Sequence, residues 1–438
     1  MAKNREAREF DIVVLGAGGF TGRLVVEHLA RLGETALTES GPLRWAVSGR
    51  DEKRTRAALA GIARSDLPFV AADLAHDDLS DLTRRADTVI NVAGPFTPTA
   101  ERVIAACVAT ATSYADLSGE IPLLESVIRR FDAPAKAAGV KIVQMAGWEA
   151  LPADLVTLLA SRRAIDAAGG TTGETHEGMG AAEPIVEVVV RARYTRKPTG
   201  KVPMAGAVSA GTLASIVEML ESDRARLVGR TAALLPDEAR GQTAPKPLRL
   251  RPFTFEGRLL APFAPVSFLN APIVHRTAAL RAAEIGVPYR PARYLEGVDV
   301  GPGGGAKGRI GYGRTLLQTA TQRALIGIAH APAPIRKTIA AALRRALPEQ
   351  GSGPEERFLR DWVWSIEAVA RHSDGATGLA RLDGRGHPGY TATAAMLAEL
   401  GLRMALGRAP DRSGCLTPAL AMGTLDLDPW FVDQLSLG

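Results

Sequence analysis

Three short stretches carry residue types and spacings suited to a phosphate-bearing ligand. The first is GAGGFTG, Gly16–Gly22, which ends the apolar run of DIVVLGAGGFTG and leads into RLVVEHLARLG. Gly16, Gly18 and Gly22 approach the G-x-G-x-x-G spacing with the third glycine displaced by one, whereas Gly16, Gly19 and Gly22 recur every third residue. With Phe20 and Thr21 they form a loop that follows a strand and opens a helix. Such a helix start offers unpaired N–H groups and positive potential to a pyrophosphate. A turn needing glycine only for its backbone angles is the plain alternative.

The second stretch, WAVSGRDEKR, ends the next strand. An acid is expected there when a free ribose 2′-hydroxyl is bound. Instead Ser48 and Gly49 are small, and Arg50 and Lys53 stand where a 2′-phosphate would be met, so the chain asks for NADP. Arg50 as a solvated first-turn residue is the alternative, and Asp51 suits a helix cap. Asp73, in AADL, either lies along the adenine or caps the helix that follows. The third stretch, NVAGPF, brings Ala93, Gly94, Pro95 and Phe96 to the tip of the fourth strand, beside the nicotinamide ribose. A purely structural loop would read the same.

These loops need a scaffold, and residues 10 to 145 supply its rhythm. FDIVVLG, RWAVSG, PFVAADL, DTVINVAGP and VKIVQMAG alternate with helix-like segments. Short apolar runs separated by helices mark βαβ units and a doubly wound parallel sheet, an α/β class. Leu151–Ala164 continues as a helix. About twenty residues rich in Gly, Thr and Glu (AIDAAGGTTGETHEGMGAAEP) then read as a loop, and a second, α+β domain follows. Its strand candidates are Ile185–Tyr194, Pro291–Val300 and Trp362–Arg371, with a turn near Asp374–Gly375. Thr315–Leu347 holds two Ala- and Leu-rich helical segments that suit a buried, subunit-facing or membrane-surface position. The expected division is 1–160 for nucleotide binding and 161–388 for the α+β domain of substrate binding and oligomerisation. Residues 389–438 form a C-terminal helix and tail returning to the first domain.

Composition narrows the class further. At 438 residues the chain exceeds one ordinary core, and 46% hydrophobic with 23% charged residues is a folded globular balance. The net charge of +6 comes from scattered arginines, and only 5% of residues are aromatic, so nucleic-acid binding is not expected. Cys107 and Cys415 match neither a disulfide framework nor a metal spacing, and the seven histidines show no ligand pattern, so no metal is expected. No serine sits in a nucleophile elbow. The polar start MAKNREAREF and the lack of a long apolar run fit the cytoplasm.

The chain resembles the saccharopine dehydrogenase-like oxidoreductases, within them the branch that includes trans-acting enoyl reductases of lipid and polyketide assembly. GAGGFTGRL, SGRDEKR, VAGPF, YADLSGE (Tyr114–Glu120) and GWEALPADL (Gly147–Leu155) carry the resemblance. VSAGTLAS, APIVHRTAAL, GHPGYTATAAML and CLTPALAMG continue it in order. It implies an N-terminal Rossmann domain holding NADP(H), a second α+β domain, and hydride transfer to an unsaturated carbon or an imine.

An enoyl β-carbon that accepts hydride leaves an enolate-like charge to be stabilised and protonated. Tyr114, Asp116 and Glu120, at and after the fifth strand, lie on the right rim, with Tyr114 the first candidate donor. Asp154 follows the sixth strand as a further catalytic candidate, and Trp148 and Glu149 are expected against the substrate. Each has a bland reading: Tyr114 as a half-buried strand residue, Asp116, Glu120 and Asp154 as helix-start carboxylates. Phe96, Ala146, Trp148 and Glu149 depart from the resembling family's tyrosine and Cys-Gly-Phe-Asp, which suggests a different substrate.

The leading expectation is an NADPH-dependent oxidoreductase reducing a C=C bond of a small-molecule or carrier-bound acyl substrate. An imine or amino-acid reductase, using Arg191, Arg193 and Arg196 on an edge strand, is the second. A non-catalytic NADP-binding partner or lipid-associated protein is the third. A homodimer and a peripheral membrane contact through residues 315–347 stay open, and Gly301–Gly308 reads as a flexible lid or a plain surface loop.

Overall fold

The computed structural model describes residues 8–33, 37–38, 41–62, 66–169, 185–196, 210–262, 267–345, 347, 353–423 and 435–437. The strand-helix alternation begins with β1 (Phe10–Leu15), whose six residues are all buried. A strand covered on both faces reads as a continuous apolar run, and β1 takes the inner place that this pattern requires. Helix α1 (Phe20–Gly33) follows, then a small antiparallel ribbon of β2 (Leu37–Thr38) and β3 (Gly41–Pro42). The sheet continues with β4 (Trp45–Gly49), β5 (Phe69–Ala71), β6 (Ala86–Asn91), β7 (Ser113–Asp116) and β8 (Lys141–Val143). Between them lie α2 (Glu52–Leu59), α3 (Ser80–Arg84), α4 (Ala100–Ala109) and α5 (Ile121–Ala138).

All the pairings of this sheet are parallel, in the order β15-β8-β7-β6-β1-β4-β5, where β15 (Gly414–Leu416) arrives from near the end of the chain. The strand tips that carry the three loops therefore share one edge. Helix α6 (Leu151–Ala167) leaves this sheet and lies on the second one, packing against β13 (Val363–His372) and β14 (Thr377–Arg385).

The second sheet is mixed, in the order β10-β11-β12-β9-β13-β14-β16. Strand β9 (Ile185–Arg196) is parallel to β12 (Arg293–Pro302) and antiparallel to β13. It is a central strand, so the expectation of an edge strand with solvated arginines is corrected. β10 (Phe253–Phe255) and β11 (Arg258–Ala261) extend one side, and β16 (Leu435–Leu437) pairs with β14 on the other. The end of the chain thus joins the second sheet, while the helix Thr393–Ala405 packs on α1 and β6 in the first domain.

The glycine run is not a free lid either: β12 extends to Pro302 and a helix spans Gly305–His330. The next helix, Ala333–Arg345, packs on Ala210–Glu221, burying Arg336 and Ala340 while Ile335 and Leu343 stay exposed. Among the described residues no helix is long and apolar enough to cross a membrane. The Gly-, Thr- and Glu-rich stretch lies largely outside the described residues.

Candidate functional site

The glycine loop is built by a close approach of two strand tips. Gly16 has φ +78°, and a Cβ there would stand 2.8 Å from the Ala93 nitrogen and 2.9 Å from its Cα. Only glycine satisfies both the left-handed backbone and the missing space. The Gly16 and Ala17 N–H groups donate to the Ser48 carbonyl, at 3.0 and 3.3 Å, which ties the loop to β4. Gly18 and Gly19 complete the turn, and Phe20, Thr21 and Gly22 begin α1, directing its N–H groups to the shared edge.

Arg50 and Lys53 are exposed beyond β4, and neither makes a hydrogen bond or ion pair among the described residues. Asp51 caps α2, accepting from the Arg54 N–H at 2.9 Å. Asp73 is occupied locally: its carboxylate accepts from the Ala75 N–H at 2.9 Å and meets the His76 ring at 3.0 Å. Those bonds, with a smaller contribution from the nearby Arg50 charge, hold its carboxyl below the usual range. The buried Ser48 hydroxyl has no partner. A glycine cradle, an unpaired guanidinium at the second tip and an orphaned serine hydroxyl are features that fit a phosphorylated dinucleotide.

At the tips of β6 and β7 a buried polar relay fixes the rim. The Asn91 side chain accepts from the Ala93 N–H at 3.0 Å and donates to the Tyr114 hydroxyl at 3.0 Å. Tyr114 in turn donates to Asp116 at 2.7 Å, and Asp116 also accepts from the Ser118 N–H (3.0 Å) and hydroxyl (2.7 Å). Gln144 donates to the Ser118 oxygen at 2.9 Å. Burial pushes Asp116 up to about 6, against the pull of these hydrogen bonds, and raises Tyr114 further above its ordinary range. The Tyr114 hydroxyl is fully buried and both its neighbours are within this relay, an arrangement that orders the NVAGPF loop. Phe96 is buried in the core beneath it.

Glu120 precedes α5 but makes no side-chain cap. Neither of its oxygens has a bonded partner, and burial pushes its carboxyl up to about 7, although the nearby Ser215 hydroxyl acts in the opposite direction. Asp154 stands elsewhere, on the first turn of α6. Its carboxylate accepts from the Thr277 hydroxyl at 2.5 Å and the Ala419 N–H at 2.9 Å, while Thr277 meets Thr417 at 2.6 Å. Burial pushes Asp154 up to about 7. Asp154 thus joins α6, the helix Ser267–Glu284 and the segment after β15.

Trp148 and Glu149 occupy the turn after β8. The Trp148 N–H donates to the Thr393 hydroxyl at 3.0 Å, and Thr393 donates to the Pro388 carbonyl at 2.9 Å. Around Trp148 the second domain raises an aromatic wall that sequence reasoning missed. Trp148 packs on Trp364 (centroids 4.5 Å apart) and Tyr194 (6.3 Å); Tyr194 meets Trp362 (5.7 Å), Trp362 meets His387 (4.8 Å), and His387 meets Tyr390 (4.8 Å). Tyr390 closes edge-on against Phe20 of the glycine loop at 5.3 Å, and Gly353 packs on the other side of Phe20. Burial lowers His387 to about 4, which leaves it neutral near pH 7.

The wall could have been suspected from WVW and HPGY alone, because three of the chain's five tryptophans are among its members. Two of the three arginines of β9 are committed: Arg191 pairs with Glu367 and Glu256, and Arg193 donates to Asp299 at 3.0 Å, while Arg196 is exposed at the end of the strand. Among the described residues no cluster of His, Cys, Asp or Glu could hold a metal ion.

Residues 12–143 match the saccharopine dehydrogenase NADP binding domain. A Mycobacterium tuberculosis protein provisionally named a trans-acting enoyl reductase is 33% identical, covering 95% of this chain and 94% of its own. The trans-acting enoyl reductase of Mycobacterium leprae is 30% identical with the same coverage. Among solved structures, the apo L-Glu-forming saccharopine dehydrogenase of Saccharomyces cerevisiae is similar with a TM-score of 0.46 and 14% identity, covering 93% of this chain and 94% of its own.

Proposed function

The chain belongs to the saccharopine dehydrogenase-like oxidoreductases, in the branch of the trans-acting enoyl reductases, and from that membership we propose that it reduces the carbon–carbon double bond of an unsaturated, carrier-bound acyl substrate. It is an NADP-dependent oxidoreductase whose N-terminal domain binds NADP(H). The observation that carries the finer reading is the meeting of the β1, β6 and β8 tips with the aromatic wall of the second domain. A ligand of an open α/β sheet lies along that edge, and a wall of buried and half-buried rings suits an apolar chain more than a charged amino acid.

In this reading Gly16, Gly18, Gly19, Phe20, Thr21 and Gly22 cradle the pyrophosphate, while Ser48, Arg50 and Lys53 meet the 2′-phosphate. Asp73 flanks Arg50 without touching the ribose. Ala93, Gly94, Pro95 and Phe96 shape the seat of the nicotinamide end. Residues 1–160 form the nucleotide domain, 161–388 the substrate domain, and 389–438 contribute a helix to the first and a strand to the second.

When bound, NADPH supplies the hydride for the β-carbon. The protein's part is to place the acyl chain and exclude water. The Asn91–Tyr114–Asp116–Ser118 relay holds the β6 and β7 tips in register, so Tyr114 and Asp116 act as positioning residues. Trp148, held by Thr393, forms the floor for the acyl chain. The imine reading loses two of its three candidate carboxylate binders, since Arg191 and Arg193 already pair with acids.

The test is a spectrophotometric assay of NADPH oxidation with α,β-unsaturated acyl thioesters, presented on pantetheine and on a carrier protein. Saturated acyl product with a preference for the carrier-bound form is expected. Tight NADPH binding with reduction of imines or carbonyls, but of no enoyl thioester, would overturn the proposal.

A further inference from the structure

The proposed reduction needs a proton for the α-carbon, and the relay residues are committed to one another. Glu149 differs from them. It is half-buried beside Trp148, its carboxyl bonded to its own backbone N–H and in no ion pair among the described residues. Its carboxyl folds back over Gly147: a Cβ at Gly147 would stand 3.0 Å from Glu149 Oε2, 3.0 Å from Leu117 Cδ2 and 2.7 Å from Thr393 Cγ2. Gly147 is therefore the residue that lets the carboxyl lie across the tips of β7 and β8. In the sheet β7 lies between β8 and β6, so these tips stand on the same edge as the NVAGPF loop.

We propose that Glu149 is the catalytic acid of the reaction, donating its proton to the α-carbon of the acyl substrate; the inference rests on the enoyl-reductase reading above. Hydride from NADPH forms the C–H bond at the β-carbon, and the π pair moves onto the acyl group as an enolate. The Glu149 O–H bond then breaks, its proton forms the new C–H bond at the α-carbon, and the electron pair stays on the carboxylate. Solvent entering the recess restores the proton. NADP⁺ and a saturated acyl group are the products, so electrons and atoms balance.

The environment suits the role. Burial pushes the Glu149 carboxyl up to about 7, against the pull of a bond from its own backbone N–H, so it holds a proton for much of its time near neutral pH. The titratable groups on the surrounding elements are Asp116 and Glu120 after β7, Tyr194 on β9 and His387 ahead of Thr393–Ala405, and none contributes to that shift. A general acid whose pKa lies near the working pH is the efficient one.

The experiment compares the parent with Glu149→Gln and Glu149→Asp in the full-length protein. For the parent, kcat should fall as pH rises through about 7. Glu149→Gln should lose about 100-fold in kcat and lose that limb, with KM for the enoyl thioester and Kd for NADPH unchanged. Glu149→Asp should regain part of the rate with a displaced limb. Infrared difference spectra of the ligand-free parent between pH 5.5 and 8.5 should show a carboxylic-acid band missing from Glu149→Gln. A variant that keeps more than a third of kcat with its limb intact overturns the assignment, as does an unchanged infrared band. A parent that reduces no enoyl thioester refutes the function itself, an outcome the infrared measurement on ligand-free protein distinguishes.

Discussion

Asp154 gives the sharpest test of anchor against catalyst. Consider Asp154→Asn, which keeps the shape of the side chain while removing its charge. In the parent the carboxylate accepts from Thr277 and from the Ala419 N–H. An asparagine oxygen can keep the Ala419 bond, and its amide can donate to Thr277, whose hydroxyl then turns to Thr417. At most one buried hydroxyl loses a partner, roughly 1 kcal/mol. The pH dependence is the larger effect. Burial raises the folded Asp154 to about 7, above its unfolded value, so its favourable neutral form is fully present at low pH and is lost as pH rises from about 4 through 7.

Between pH 5 and 8 that ionisation costs the parent roughly 2–3 kcal/mol which Asp154→Asn does not lose. The other raised carboxyls, Asp116, Glu120, Glu149 and Glu399, titrate in both proteins and cancel in the comparison. At about 1 °C per kcal/mol for a chain of this length, the melting difference between variant and parent should swing by roughly 2–3 °C in the variant's favour between those pH values. Thermal melts followed by circular dichroism measure it, with NADPH turnover recorded in parallel. Melting curves that stay parallel across pH, together with a collapse of turnover, would refute the anchor and return Asp154 to the catalytic residues.

Two further outcomes follow from the site. Arg50→Ala should weaken NADPH by roughly 10- to 100-fold, the worth of a charge-assisted contact, and leave NADH unchanged in fluorescence titrations at fixed ionic strength; equal losses for both nucleotides would move Arg50 away from the 2′-phosphate. Tyr114→Phe should cost about 2–3 kcal/mol in stability, because Asn91 and Asp116 lose a buried partner. Its kcat should stay within about fivefold of the parent, and a much larger loss at unchanged stability would make Tyr114 a proton donor.

Much of this protein was legible before any coordinate was seen. The first domain announces itself because βαβ units are local: the apolar run of β1, the glycines after it and the helix that follows are all within some twenty residues. Arg50 could be singled out for the same reason, since it directly follows the apolar run WAVSG that comes after α1, although the β2–β3 ribbon lengthens that crossover.

What required tertiary structure was direction and partnership. A tyrosine on a strand reads the same whether it faces a cleft or a core, and only packing put the Tyr114 hydroxyl between Asn91 and Asp116. Asp154 meets Thr277 and Ala419 from regions more than a hundred residues away, so no spacing could reveal its anchor role. β15 is three residues long, too short to carry a period, and becomes a strand only because β8 offers it an edge. Alternating arginines look solvated and so suggest an edge strand, yet Glu367 of β13 and Asp299 of β12 meet Arg191 and Arg193 of β9 in the middle of the sheet. The sequence by itself determined the nucleotide domain, through short-range periodicity and loop chemistry. The fold alone decided which carboxyl keeps a free proton, because burial and neighbours are properties of the whole chain.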